Sequence, residues 1–154
     1  MRSLTLLRHA KTERDSDSGS DFDRVLTERG RADAQRMGQE VLDFDLILAS
    51  PAARAAETAA LAGLEPRFEE RIYNASTGDL LSLVQAVDHP VRRLAMVGHN
   101  PGFEHLASML SGERIEMPTG SLVEIELPID HWAEVGANVG RLVRFLKPKE
   151  LDQA

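Results

Sequence analysis

The residues of this 154-residue chain that could do chemistry fall in three short segments. Arg8-His9 follows an apolar run at residues 4–7, Arg54 follows Ser50-Pro51 after a run at 44–49, and His99-Asn100-Pro101 follows a run at 94–97. Each run reads as a buried strand, and each polar segment as the turn at its carboxyl end. In open parallel sheets, ligands gather outside the carboxyl ends of the strands. The three segments are therefore expected to converge on one pocket. What converges is two histidines and two arginines. Guanidinium groups grip phosphate oxygens through charge-assisted forks, and helix N-termini add further N–H donors. A neutral imidazole nitrogen can attack phosphorus, forming a phosphoramidate that water then hydrolyses. The set reads as a phosphate cage around a nucleophilic His9, with Arg8, Arg54, His99 and Asn100 around the phosphate. An isolated Arg-His pair is more often plain surface; convergence of the three segments reverses that.

The elements that must position these segments are legible as hydrophobic periods. Gly30, Ala34, Met37 and Val41 share one face of a helix that begins after Thr27. Ser50 with Pro51 resembles an N-cap followed by proline at the first helical position, opening a helix to about residue 62. Ser76 and Asp79 start another, with Leu80, Val84 and Val87 facing inward, and Asn100-Pro101 starts a fourth, to about residue 110. Residues 67–69 are expected to add a short strand. Residues 121–127 alternate, and residues 140–146 read as a final strand. Continuous strands joined by helices imply a parallel sheet covered on both faces. The expected fold is thus a single three-layer α/β domain over residues 1–154, mostly parallel with an antiparallel edge.

Composition narrows the partners. Eighteen Lys and Arg against 25 Asp and Glu give a net charge of −7, which argues against a nucleic-acid binder held by phosphate contacts. The acidic surplus lies after residue 36; the first 36 residues are nearly neutral and can still hold an anion site. No apolar run approaches the ~18 residues needed to cross a bilayer, and the N-terminus lacks a secretory cleavage pattern, so no membrane and a cytoplasmic address are expected. The absence of cysteine excludes disulfides, thiolate nucleophiles and cysteine-held metals. The acidic stretch at 15–23 lacks the spacing of a calcium loop, and no dinucleotide or nucleoside-triphosphate glycine pattern occurs. No cofactor and no metal are expected, and nothing sets an oligomeric state. Of the other histidines, His89 reads as plain surface, His105 as a helix-face residue and His131 as structural.

Taken together, LLRHAKTE, SDFDRVLTERG, ILASPAARAAETA, ERIYNAS, VGHNPGFEHLA and LVRFLKPKEL resemble the histidine phosphatase superfamily. Within it the match is to the small branch that includes SixA-type phosphohistidine phosphatases. The resemblance implies a phosphoglycerate-mutase-like fold. It implies that His9 is the phosphorylated nucleophile, that Arg8, Arg54 and His99 complete the phosphate pocket, and that Arg24 is an additional pocket arginine. The implied activity is a metal-independent phosphohydrolase acting on phosphohistidine of a protein. The alternatives are a phosphatase of a small phosphomonoester, such as a sugar or nucleotide phosphate, and a non-catalytic phosphate-recognition module. Two positions depart from the family pattern: Ala10 stands where glycine is usual, and Glu57 where glutamine is commoner. The long insertion of mutase relatives between the second arginine and second histidine is missing, so an open, shallow pocket is expected. Two carboxylates compete as the acid that protonates the leaving group: Asp21, slightly favoured, and Glu70.

Overall fold

The three apolar runs become the middle of one sheet. In the computed structural model, which describes residues 1–151, the strands are β1 (Arg2–Arg8), β2 (Leu46–Ala49), β3 (Arg67–Phe68), β4 (Arg93–Gly98), β5 (Leu122–Leu127) and β6 (Arg141–Leu146). The helices are α1 (Glu28–Gly38), α2 (Ala53–Leu61), α3 (Thr77–Gln85), α4 (Gly102–Ser111) and α5 (Pro148–Leu151). The strand order is β3-β2-β4-β1-β5-β6. The first four run parallel, whereas β5 pairs antiparallel with both β1 and β6.

Side-chain alternation along the central strands feeds two cores. Leu4 and Leu6 of β1 and Leu94 and Met96 of β4 enter a large cluster with Leu80, Val84, Phe103 and Leu106 of α3 and α4. Leu7 and Val97 join a second cluster with Met37, Ala55 and Ala59 of α1 and α2. Successive strand residues point to opposite faces, so helices cover both sides. On β5 the alternate positions Glu124 and Glu126 pair with Arg144 and Arg141 of β6 at 2.9 and 3.2 Å. The alternating run at the C-terminus is therefore the antiparallel edge.

The helix starts at Thr27 and Ser76 are as expected. Thr27 accepts the Gly30 N–H, and Ser76 with Asp79 forms a reciprocal capping box. Three boundaries differ. α1 stops at Gly38, so Val41 lies beyond it while still packing on the second core. α2 begins at Ala53 without a side-chain cap. Ser50 is not its N-cap, because its N–H still extends the sheet by donating to Val97 O at 3.0 Å. α4 begins at Gly102, and Asn100 caps it from two residues upstream by accepting the Glu104 N–H. The long connection from β1 to α1 is closed at its neck by a bridge between Thr12 and Leu26.

Candidate active site

The carboxyl ends of β1, β2 and β4 bring the three segments together. The His9 N–H donates to Gly98 O at 3.0 Å, and the Gly120 N–H donates to His9 O at 2.8 Å. These two bonds hold the His9 backbone between the end of β4 and the turn into β5. The next residue ties it to α2: the Ala10 N–H donates to Thr58 Oγ1 at 3.0 Å, and that hydroxyl donates to Arg54 O at 2.7 Å. One threonine thus links the chain after His9 to the turn that carries Arg54. The side chains meet as well, with the His9 and His99 ring centroids 5.3 Å apart.

His9 is only 7 % exposed. Its Nδ1 lies 2.8 Å from Ala10 O, and a carbonyl only accepts, so Nδ1 carries the proton and Nε2 keeps the free lone pair. Burial pushes the His9 pKa down to about 3, with His99, Arg8 and Arg54 pushing the same way and the Ala10 carbonyl opposing. His99 is lowered to about 4, first by burial and then by Arg54. Both imidazoles are therefore neutral at neutral pH. His99 Nε2 stands 2.7 Å from Ser50 Oγ, which also accepts the Ala52 N–H just before α2. Arg8 Nη1 donates to Met117 O at 2.8 Å, and burial lowers the Arg8 pKa against the pull of Glu104. Among the described residues, buried Arg8 Nε and His99 Nδ1 have no hydrogen-bond partner.

Asp21 joins the site through its side chain and its backbone. Its Oδ2 accepts from Tyr73 OH at 2.7 Å and from Arg54 Nη2 at 3.0 Å, its Oδ1 accepts from Arg24 Nη1 at 3.0 Å, and its backbone oxygen accepts from Arg54 Nη1 at 2.8 Å. The Tyr73 hydroxyl, followed by the two arginines, holds its carboxyl down at about 2. Both Asp21 oxygens are thus engaged, by Tyr73 and Arg54 on one side and Arg24 on the other. Arg24 reaches the site through Asp21, and its guanidinium is also engaged with Glu13 O and Thr12 Oγ1. Glu70 lies exposed in the one-turn helix Glu70–Ile72 after β3.

Asn100 stands beside the pocket but is spent on structure. Its amide donates to Glu104 Oε1 at 2.8 Å and to Met117 O at 2.9 Å, and its oxygen caps α4. It braces the same carbonyl that receives Arg8. His89, read as plain surface, takes a 3.1 Å contact at Nδ1 from the buried Arg2 at the opposite end of β1, and its ring lies 5.0 Å from that of His131. Sequence reasoning missed Tyr73, Thr58 and the Met117 carbonyl. Only Tyr73 left a signal, as the single tyrosine of the chain, three residues after Glu70.

Residues 4–117 match the histidine phosphatase superfamily (branch 1). The chain belongs to the histidine phosphatase superfamily. The matched span takes in Arg8, His9, Arg54 and His99 together. Among curated proteins, the chain is similar to the uncharacterized Rv1276c of Mycobacterium tuberculosis, with 32% identity over 93% of this chain and 100% of that one. It is also similar to an uncharacterized chloroplastic protein of Arabidopsis thaliana, At3g52155, with 32% identity over 90% of this chain and 72% of the relative. Among solved structures, a provisionally named phosphohistidine phosphatase SixA from Agrobacterium tumefaciens superposes with a TM-score of 0.79 at 30% identity, covering 96% of this chain and 98% of that one. The protein histidine phosphatase SixA complexed with tungstate shares the fold, with a TM-score of 0.80 at 20% identity over 97% and 99% of the two chains.

The two departures from the histidine phosphatase pattern are explained locally. The Ala10 side chain is fully buried in a small cluster with Leu26 and Ala34. Glu57 accepts the Leu26 N–H at 2.9 Å, so its carboxylate secures the neck of the β1–α1 connection. Among the described residues, no helix is long and apolar enough to cross a membrane, and no group of three or more His, Asp or Glu is placed to hold a metal ion.

Proposed function

We propose that the protein is a metal-independent phosphohydrolase that works through a phosphohistidine on His9, with phosphohistidine on a protein as its substrate class. The observation that carries this reading is the fixed tautomer of His9. Its Nδ1–H is tied to Ala10 O, and Nε2 is left as a neutral nucleophile in a pocket with Arg8, Arg54 and His99. Pure recognition of phosphate would use the arginines and have no need of a held, neutral imidazole. In the first half-reaction the Nε2–P bond forms as the bond from phosphorus to the leaving group breaks, and the leaving group takes a proton. In the second, water attacks phosphorus, the P–Nε2 bond breaks, and phosphate leaves. Arg8, Arg54 and Arg24 neutralise the transferring group, and the unpartnered Arg8 Nε and His99 Nδ1 are groups an oxyanion can satisfy. Glu70 is assigned the acid in this scheme, because both Asp21 oxygens are engaged by Tyr73, Arg54 and Arg24. The short span from Arg54 to His99 contains α2, β3, α3 and β4 and no further domain, which supports a substrate presented on another protein's surface.

The test is a rapid quench, with chelator present, against a labelled phosphohistidine protein and an alkyl phosphate in parallel. An acid-labile phosphoenzyme is expected from both, with turnover at least about tenfold faster on the phosphohistidine protein, whose leaving group departs more easily. Glu70→Gln should slow only the alkyl phosphate. Faster turnover of the alkyl phosphate would favour a small phosphomonoester, and the absence of any phosphoenzyme would remove the mechanism.

The pH profile is a second expected result. Protonation of His9 destroys the nucleophile, so kcat/KM falls as pH drops through the free-enzyme pKa. With His9 near 3 and His99 near 4, the acid limb should lie well below the ordinary histidine value of about 6.5. The measurement is kcat/KM on an acid-stable aryl phosphate from pH 3 to 8. A limb centred at 6 to 7 would contradict it. The same shifts make stability fall with pH: below about 6.5 the unfolded chain binds protons that the folded histidines refuse.

A further inference from the structure

We infer that Tyr73 is a positioning residue of the phosphate pocket, acting through Asp21 on Arg54. The inference rests on the proposed phosphate site and extends it to a residue that touches no reacting atom. Tyr73 follows the one-turn helix Glu70–Ile72, and that turn is seated firmly. Ile72 is buried, and a Cβ placed on Gly98 would meet it at 2.7 Å and Phe103 at 2.6 Å. The glycine just before His99 is thus what lets the turn rest on the end of β4. From this seat the Tyr73 ring stands edge-on to His99, with centroids 5.6 Å apart at 74°, and edge-on to Phe22 at 5.2 Å. The Arg54 guanidinium carbon lies 5.9 Å from the centre of the same ring.

The hydroxyl completes the chain of contacts. Tyr73 OH donates to Asp21 Oδ2, the oxygen that also receives Arg54 Nη2, while the Asp21 backbone oxygen receives Arg54 Nη1. Both terminal nitrogens of Arg54 are therefore aimed by one residue, and that residue's carboxylate is itself anchored by Tyr73. Arg24 holds only the other oxygen, Oδ1, and cannot fix the rotation of the carboxylate alone. Hydrogen bonds to a charged group are stronger than neutral ones, so loss of the phenol removes one of the two bonds on Oδ2 and leaves the carboxylate, and with it Arg54 Nη2, less tightly aimed. An arginine's exact direction matters most when the phosphoryl oxygens flatten into the equatorial plane of the transition state.

The test compares Tyr73→Phe with the native protein in binding inorganic phosphate, a ground-state ligand, and vanadate, which adopts the five-coordinate geometry. Neither measurement requires turnover. Tyr73→Phe keeps the ring and its packing. It is expected to weaken vanadate roughly tenfold while phosphate changes by about twofold or less, the split that differential binding produces. In an Asp21→Ala background the same change should cost nothing further, because the side chain that links the phenol to Arg54 is gone. A tyrosine that merely fills the rim would leave both ligands unaffected, or cost the same in both backgrounds; either result overturns the inference while leaving the phosphate site intact. Failure of the native protein to bind either anion would overturn the site and the inference together.

Discussion

His9→Asn reduces turnover to no more than about one part in ten thousand of the native rate, the scale on which loss of a nucleophile is felt, and yields no phosphoenzyme. The asparagine amide can still donate to Ala10 O, as His9 Nδ1 does at 2.8 Å, so the local backbone has reason to stay in place. Phosphate binding should persist, because Arg8, Arg54 and His99 are untouched. Removal of a buried imidazole that resists protonation should also make the variant lose less stability on acidification than the native protein. The checks are a quenched-flow assay, phosphate binding, and unfolding midpoints at pH 4 and pH 7. Turnover within tenfold of native would require a different nucleophile.

Arg54→Ala carries the second-largest effect. The side chain is 7 % exposed, and in the proposed mechanism its remaining N–H groups meet phosphoryl oxygens, so its loss should cost about 2–4 kcal/mol of transition-state stabilisation, roughly 10²- to 10³-fold in kcat/KM. Phosphate affinity should fall too, and more than for an uncharged contact, because the Asp21 carboxylate loses a cation that offsets it beside the incoming anion. Arg54→Lys restores the charge without the fork and should recover only a small part of the loss. Full recovery by lysine would mean that a point charge suffices. Steady-state kinetics on both variants, with phosphate binding alongside, decide the matter.

The parts that were legible in the sequence follow from burial. Three runs too continuous for half-exposed strands became the inner strands, and the alternating run at 121–127 became the antiparallel edge, because period and polarity report which faces are dry. Arg8, His9, Arg54 and His99 could be grouped since each ends or follows a buried run, and parallel strands share one carboxyl edge. What could not be read was the partnership of side chains far apart in sequence. Asp21 looked like an acid beside Arg24; its ionised state depends on Tyr73, 52 positions away, and on Arg54. Ser50 had the composition of a helix cap, yet tertiary demand placed its hydroxyl on His99. Asn100 had the right place for a phosphate ligand, but Glu104 and the loop at Met117 take both hydrogens of its amide, and its oxygen caps α4.

The closed neck of the β1–α1 connection separates two design problems. Thr12 bridges Leu26, Arg24 ties back to Glu13 and Thr12, and Glu57 secures Leu26, so the neck itself is held by bonds that do not involve the tip. The entropy of closing a loop grows only logarithmically, about 0.6 kcal/mol for each doubling of length. Length changes confined to the tip around Ser16–Ser18 therefore leave the neck geometry nearly unaffected. The neck thus works as a clasp: the chain beyond it can lengthen or shorten while the two ends it fastens stay where they are.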